Sequence, residues 1–423
     1  MAVFSSLSTF FKRNRRKLLI ATGLSLTAYY LVHQFVIKKF RDFQKSLKQE
    51  LFVKEQIRRR FIQTQNDCYL TLLALLPVLS QPIVAHLPSE TITQALKLKK
   101  APLTNAQLEL VSDSLLTTDN LSLHQSANES LDLSTYVNMS KTDLWKLLKI
   151  KTIARWLTLI YSLSGLMLIT RLQLNILARR SYLESAIAMA GGSVDEDMSL
   201  DYYMEQSYLS LSWWLLNKGW RTMSDVLEAA VIKHFDVVNA RTELTIDQFD
   251  ELIALVIKDV NFNHQRLIIE SIFPTSYDSL VETLINTNPD LIRELDQPES
   301  VFLKLVNETN FFVDDGMFLQ IFYRMVNHSR STLANNLWVA LDPDFLLTME
   351  QNAKIAEIGD VPVKKFKLAS FLAQVSVQSG IICDNNNLHV DYNEELTGNI
   401  YVNSLNELEE LDEFSAGIYS NFE

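Results

Sequence analysis

The residues able to do chemistry are few and scattered. Seven histidines occur singly along 423 residues, and none stands in an H-E-x-x-H pair that would set two imidazoles on one helical face. His234 and His264 therefore read as surface or core residues, not as ligands or general bases. Asp314 and Asp315 are adjacent, so on a helix their carboxylates diverge and belong to a solvated face. The chain has no G-x-x-x-x-G-K-[ST], G-x-G-x-x-G or G-x-S-x-G segment, so neither a phosphate cradle nor a nucleophile elbow has support. Cys68 and Cys383 lie far apart and outside any metal-ligand spacing. They read as reduced, buried small hydrophobes in a reducing compartment. No catalytic residue, cofactor or metal is expected.

Binding chemistry has one candidate. Ser140 to Asp143 has the form of a capping box, in which the serine hydroxyl receives a first-turn amide and the aspartate reaches back. Trp145 then falls in the second turn of the helix. Around it at helical spacing stand Lys141, Thr142, Lys149 and Thr152, with Leu148 the apolar neighbour. A tryptophan on so polar a face is expected to be at least partly exposed, as interface anchors are. Packing beneath the segment 101–140 is the alternative, and spacing alone leaves both open.

The elements that must position this residue are helical. Ten glycines and nine prolines are few for the length, and such scarcity favours long helices over a many-stranded sheet. The run from Trp156 to Thr170 carries no charge and is bounded by Arg155 and Arg171. It is short for a membrane span and fits a helix buried inside a bundle. Residues 101–140 are dominated by Ser, Thr, Asn and Asp without a sustained period, and read as a polar loop. Apolar runs at 67–100 are expected to break at Pro77 and Pro82. Pro274, Pro289, Pro298, Pro343 and Pro362 punctuate the later helices, and Gly191-Gly192 is expected to end the helix before it. The helical domain is bounded at 67–384, and residues 385–423 read as a loosely ordered acidic tail.

The N-terminal end has a different task. Leu18 to Ile37 contains no Asp, Glu, Lys or Arg, and as a helix it spans roughly 30 Å, the thickness of a bilayer core. Lys12, Arg13, Arg15, Arg16 and Lys17 precede it within the short basic segment 1–17. Lys38, Lys39, Arg41, Lys45 and Lys48 follow it. Charged residues in place of a cleavage site mark a retained anchor. Residues 38–66 form a basic amphipathic stalk. Residues 1–60 carry 14 basic and 3 acidic side chains, and the remainder carries 25 and 47. A basic end on an acidic body argues for contact with lipid head groups and against nucleic acid. The added basic residues after the anchor favour a cytosolic body. Five N-x-S/T sequons, at Asn120, Asn128, Asn138, Asn307 and Asn327, make glycosylation a check on that topology.

Three segments resemble the peroxin-3 family of peroxisome biogenesis factors, in its fungal form. They are Phe11 to Lys17 directly before the anchor, Leu144-Trp145-Lys146-Leu147-Leu148-Lys149-Ile150, and Arg171-Leu172-Gln173-Leu174-Asn175-Ile176 with Tyr182-Leu183. Cys68 to Pro77 also fits. The resemblance implies an all-α, single-pass peroxisomal membrane protein with a cytosolic helical bundle, passage through the endoplasmic reticulum being left open. It implies docking of the soluble import receptor peroxin-19, whose amphipathic helix would lie in an apolar groove. Trp145 matches the groove tryptophan and Lys141 the basic residue four before it, with Leu144 and Leu148 on the same helix. The opposite wall would come from Ala95, Leu96 and Leu98. Inheritance and turnover factors are further partners that the family implies. A generic tether on another organelle is the competing reading, and a membrane-bound enzyme with an unrecognised site the third.

Overall fold

From Thr152 to Gln173 every residue of one helix is buried, so the rest of the chain is organised by covering it. In the computed structural model, residues 38–99, 133, 135–189, 202–343, 364–384 and 399–421 are described. The protein is all-α. By contact it divides into two units, residues 1–63 and 64–423. The described part of the first is the start of α1 (Lys38–His86), where Arg59 pairs with Glu55 one turn earlier. The expected anchor 18–37 and the cations Lys12, Arg13, Arg15, Arg16 and Lys17 lie outside the described residues.

In the second unit α1 turns Cys68, Leu72, Leu76, Leu79 and Ile83 into the core at spacings of three and four. The expected breaks at Pro77 and Pro82 do not occur, and the helix runs through both. Each proline removes one backbone hydrogen bond, at a cost of about 3 kcal/mol. Burial of the leucine face on both sides of them offsets that cost. The stalk and the first bundle helix are therefore one element. Cys68 is buried and free, its thiol pushed up to about 12 by burial against the lowering pull of Arg171.

Helix α2 (Ser89–Leu98) follows, and then α3 (Lys141–Met189), the central helix. Its most apolar 18-residue window is wholly buried, which makes it a core helix; the corresponding window within 53–99 is only 44% buried. The last part of the expected 101–140 loop is not plain loop. Residues 135–137 are helical, and Leu133, Tyr136, Val137 and Met139 pack against the core. Residues 191–192 lie outside the description.

The covering layer is a series of short and medium helices. It comprises α4 (Tyr202–Leu209), a π-helical turn (Leu215–Gly219), α5 (Trp220–Phe235), α6 (Ile246–Asn263), α7 (Gln265–Ile272), α8 (Tyr277–Thr287), α9 (Val301–Asp314) and α10 (Gly316–Leu341). Hydroxyl and carboxylate caps start several of them: Thr245 for α6, Ser276 for α8, Ser300 for α9 and Asp315 for α10. Pro274 and Pro298 fall between helices as expected, Pro289 opens a 3-10 helix (Pro289–Asp296), and Pro343 lies just past α10. A two-residue antiparallel pair joins β1 (Glu243–Leu244) to β2 (Phe366–Lys367), leading into α11 (Leu368–Cys383).

The C-terminal residues correct the sequence reading most sharply. Far from forming a loose acidic tail, they make α12 (Ile400–Asn406) and α13 (Glu409–Ser420), which bury Tyr401, Val402, Leu405, Leu411, Phe414 and Ile418. The tie is Arg171 of α3, 2% exposed. It donates to Asn406 Oδ1 at 2.7 Å, Asp412 Oδ1 at 3.0 Å, Ser415 Oγ at 3.4 Å and the side-chain oxygen of Gln65. The bundle therefore extends to about residue 420.

Two substitutions test this packing. A Cβ on Gly219 would stand 1.7 Å from the Ser271 carbonyl oxygen, so Gly219→Ala forces the π turn away from α7. It should cost about 3 kcal/mol in denaturant unfolding. Arg171→Met should cost about 1–3 kcal/mol by removing the hydrogen bonds that tie α3 to α12 and α13. Limited proteolysis of that variant should cut first between α11 and α13.

Candidate docking surface around Trp145

Ser140 begins α3 as its spacing predicts. Its hydroxyl oxygen accepts from Asp143 N at 3.1 Å, and the hydroxyl donates to Asp143 Oδ2 at 2.6 Å. The aspartate thus reaches the serine side chain, not its amide. With the start fixed, Lys141, Thr142 and Asp143 are exposed, Leu144 and Leu148 are buried, and Trp145 is half-buried against the core. The partial exposure expected of Trp145 is present, but half of its stated reason is not. Lys149 and Thr152, taken as polar surface neighbours, are both buried.

Lys149 is buried because it has partners. Its ammonium donates to the Val238 carbonyl oxygen at 2.7 Å and to that of Phe235. These carbonyls end α5, where the helix dipole favours a cation. Burial lowers the Lys149 pKa from its usual value, partly countered by Asp236. No periodicity announces such a residue, because a lysine at this spacing reads as surface.

Helix α2 lies antiparallel beside the start of α3. At one end Glu90 forms a paired contact with Arg155, whose second nitrogen is 2.7 Å from Glu90 Oε1, and Arg155 also donates to Ser376 Oγ at 3.0 Å. At the other end the Lys99 ammonium donates to the Met139 carbonyl. Burial alone would raise the Glu90 carboxyl, but the hydrogen bond and charge of Arg155 hold it below the usual range. Between these ties Ala95 and Leu96 are buried and Leu98 is half-buried. Leu96, Leu144 and Leu148 are thus core residues beneath the surface, whereas Lys141, Trp145 and Leu98 reach it.

A shallow concavity of about 410 Å³ lies elsewhere, between α5 and α6, lined by Val226, Ala229, Ala230 and Val260 with polar residues at its rim. There Asp259 is engaged by Lys233 at 2.9 Å and His234 at 3.0 Å, hydrogen bonds that hold its carboxyl below the usual range. Its polar groups are turned to one another.

The family model for Peroxin-3 matches residues 9–421, from before the expected anchor to the last helix. The chain belongs to the Peroxin-3 family. It is similar at 59% identity, over the full length of both chains, to peroxisomal biogenesis factor 3 of Debaryomyces hansenii. It is 32% identical to peroxisomal membrane protein PEX3 of Komagataella pastoris, covering 97% of this chain and 98% of that one. A bovine peroxisomal biogenesis factor 3 matches at 21% identity over 99% and 98%. As a Peroxin-3 the chain is a membrane protein of peroxisome biogenesis.

The cap that places Trp145 gives a local prediction. Ser140→Ala should cost about 1 kcal/mol, read as faster amide exchange in the first turn of α3 with the rest of the helix unchanged.

Proposed function

We propose that this Peroxin-3 is the docking factor for peroxin-19 on the peroxisomal membrane, facing the cytosol, and that it acts by binding alone. The observation that carries the reading is Trp145, half-exposed on a helix whose start and flank are fixed by Ser140, Glu90 and Lys99. A large aromatic ring held at a surface by rigid surroundings loses little freedom when a partner covers it. Leu98 offers a second apolar contact across from it, over a floor of Ala95, Leu96, Leu144 and Leu148. Lys141 and Lys146 border the ring with positive charge. An amphipathic receptor helix with apolar residues at i, i+3 and i+4 and acidic neighbours suits such a surface.

The receptor's arrival is then a capture step. The acidic body repels anionic lipid, the basic segment beside the anchor attracts it, and the docking surface is left to a soluble partner. Membrane proteins carried by the receptor are delivered where it is held. The inheritance and turnover factors implied for fungal relatives would use other faces.

Trp145→Ala in the full-length chain, held in nanodiscs, should weaken peroxin-19 binding by about 2 kcal/mol, roughly thirtyfold in Kd, while the helical fold is retained and the melting temperature falls only by the lost packing of a half-buried ring. Equal affinity in the folded variant overturns the site. No binding by the folded wild-type chain overturns the receptor and leaves a tether with another partner.

A further inference from the structure

Val237 is the most exposed large apolar side chain among the described residues, at 86%. It stands in the turn that ends α5, between the two residues whose carbonyls hold the Lys149 ammonium. Backbone on both sides of Val237 is therefore tied to α3, while its side chain is left in solvent. Lys149 lies four residues after Trp145, on the same face of that helix. One clamp thus ties the turn that carries an exposed valine to a residue one helical turn along α3 from the half-exposed tryptophan.

We infer that Val237 is a second apolar anchor of the docking surface, and that Lys149 is the positioning residue that sets it beside Trp145 for the same receptor helix. The inference rests on the docking reading given above. Charge selects the occupant. Lys141 and Lys146 are exposed on the Trp145 side, and Asp236 is exposed next to Val237. A helix seated across both anchors meets cations at one flank and an anion at the other. It should therefore carry acidic residues toward Lys141 and Lys146 and a basic residue toward Asp236. A bilayer rich in anionic lipid has no counterpart for Asp236.

Lys149 acts through Val237, so it touches no part of the receptor. Its loss should appear as lost affinity, with recovery when another cation replaces it. Both variants are measured in the full-length chain in nanodiscs against purified peroxin-19, beside Trp145→Ala. Val237→Asp, a change at a solvent-exposed position, should weaken binding about tenfold or more without lowering the melting temperature. Lys149→Met should weaken it by a similar factor, and Lys149→Arg should return it to within about threefold of wild type. Combining Lys149→Met with Val237→Asp should weaken binding no further than the worse single variant, because both remove one anchor. Wild-type affinity for Val237→Asp, with binding lost in Trp145→Ala, overturns the second anchor and leaves the docking reading standing. Wild-type affinity for both overturns the two together. Should Lys149→Met fail to fold, Val237→Asp decides the matter alone.

Discussion

A helix covered on every side has no water to turn its charges toward. Along α3 that holds from Thr152 to Gln173, and the cations inside or beside this stretch each found a partner on a different segment. Arg155 takes Glu90 of α2 and Ser376 of α11, and Arg171 takes α1, α12 and α13. Arg179 takes Glu308 of α9 and the Ile418 carbonyl of α13. A buried ion pair adds little net stability over an apolar pair of the same shape, but leaving one of these cations without its partner is expensive. The arginines therefore act as addresses. Each admits one arrangement of the covering helices, while the leucines and phenylalanines would tolerate several.

The same constraint explains why the candidate surface lies where it does. At the first turns of α3 the cover thins: Lys141 to Asp143 face water, Trp145 is half covered, and Leu144 and Leu148 are already in the core. A residue at this margin borrows rigidity from the buried helix and still presents a face outward. Lys149 marks the boundary, since it is the first cation of α3 drawn inside. It pulls the end of α5 with it, so the transition from core to surface also shapes the surface.

Much of this was legible in the residues. The uncharged run from Trp156 to Thr170 announced a core helix and Ser140 announced its start, whereas the spacing of Trp145 left its exposure open. What failed did so for definite reasons. Acidic residues at Glu407, Glu409, Glu410, Asp412 and Glu413 outweighed the interleaved Leu405, Leu411, Phe414 and Ile418, whose helical spacing was the true signal. Pro77 and Pro82 read as breaks, because the packing that offsets their cost is made with residues distant in sequence. Lys149 and Val237 carry no local mark at all. A lysine goes inside when carbonyls nearly ninety positions later are waiting for it, and no window along the chain contains both.

The Arg171 tie has a consequence for synthesis. Its partners Asn406, Asp412 and Ser415 follow it by 235 residues or more. Until they have left the ribosome, the central arginine lacks the side chains that complete its shell, and the bundle stays open on that side. Closure must wait for them. A premature stop before residue 406 would leave the expected anchor and the candidate surface encoded in full, yet strand the guanidinium at the heart of the domain. Such a product would be a matter for quality control, not a shorter working protein.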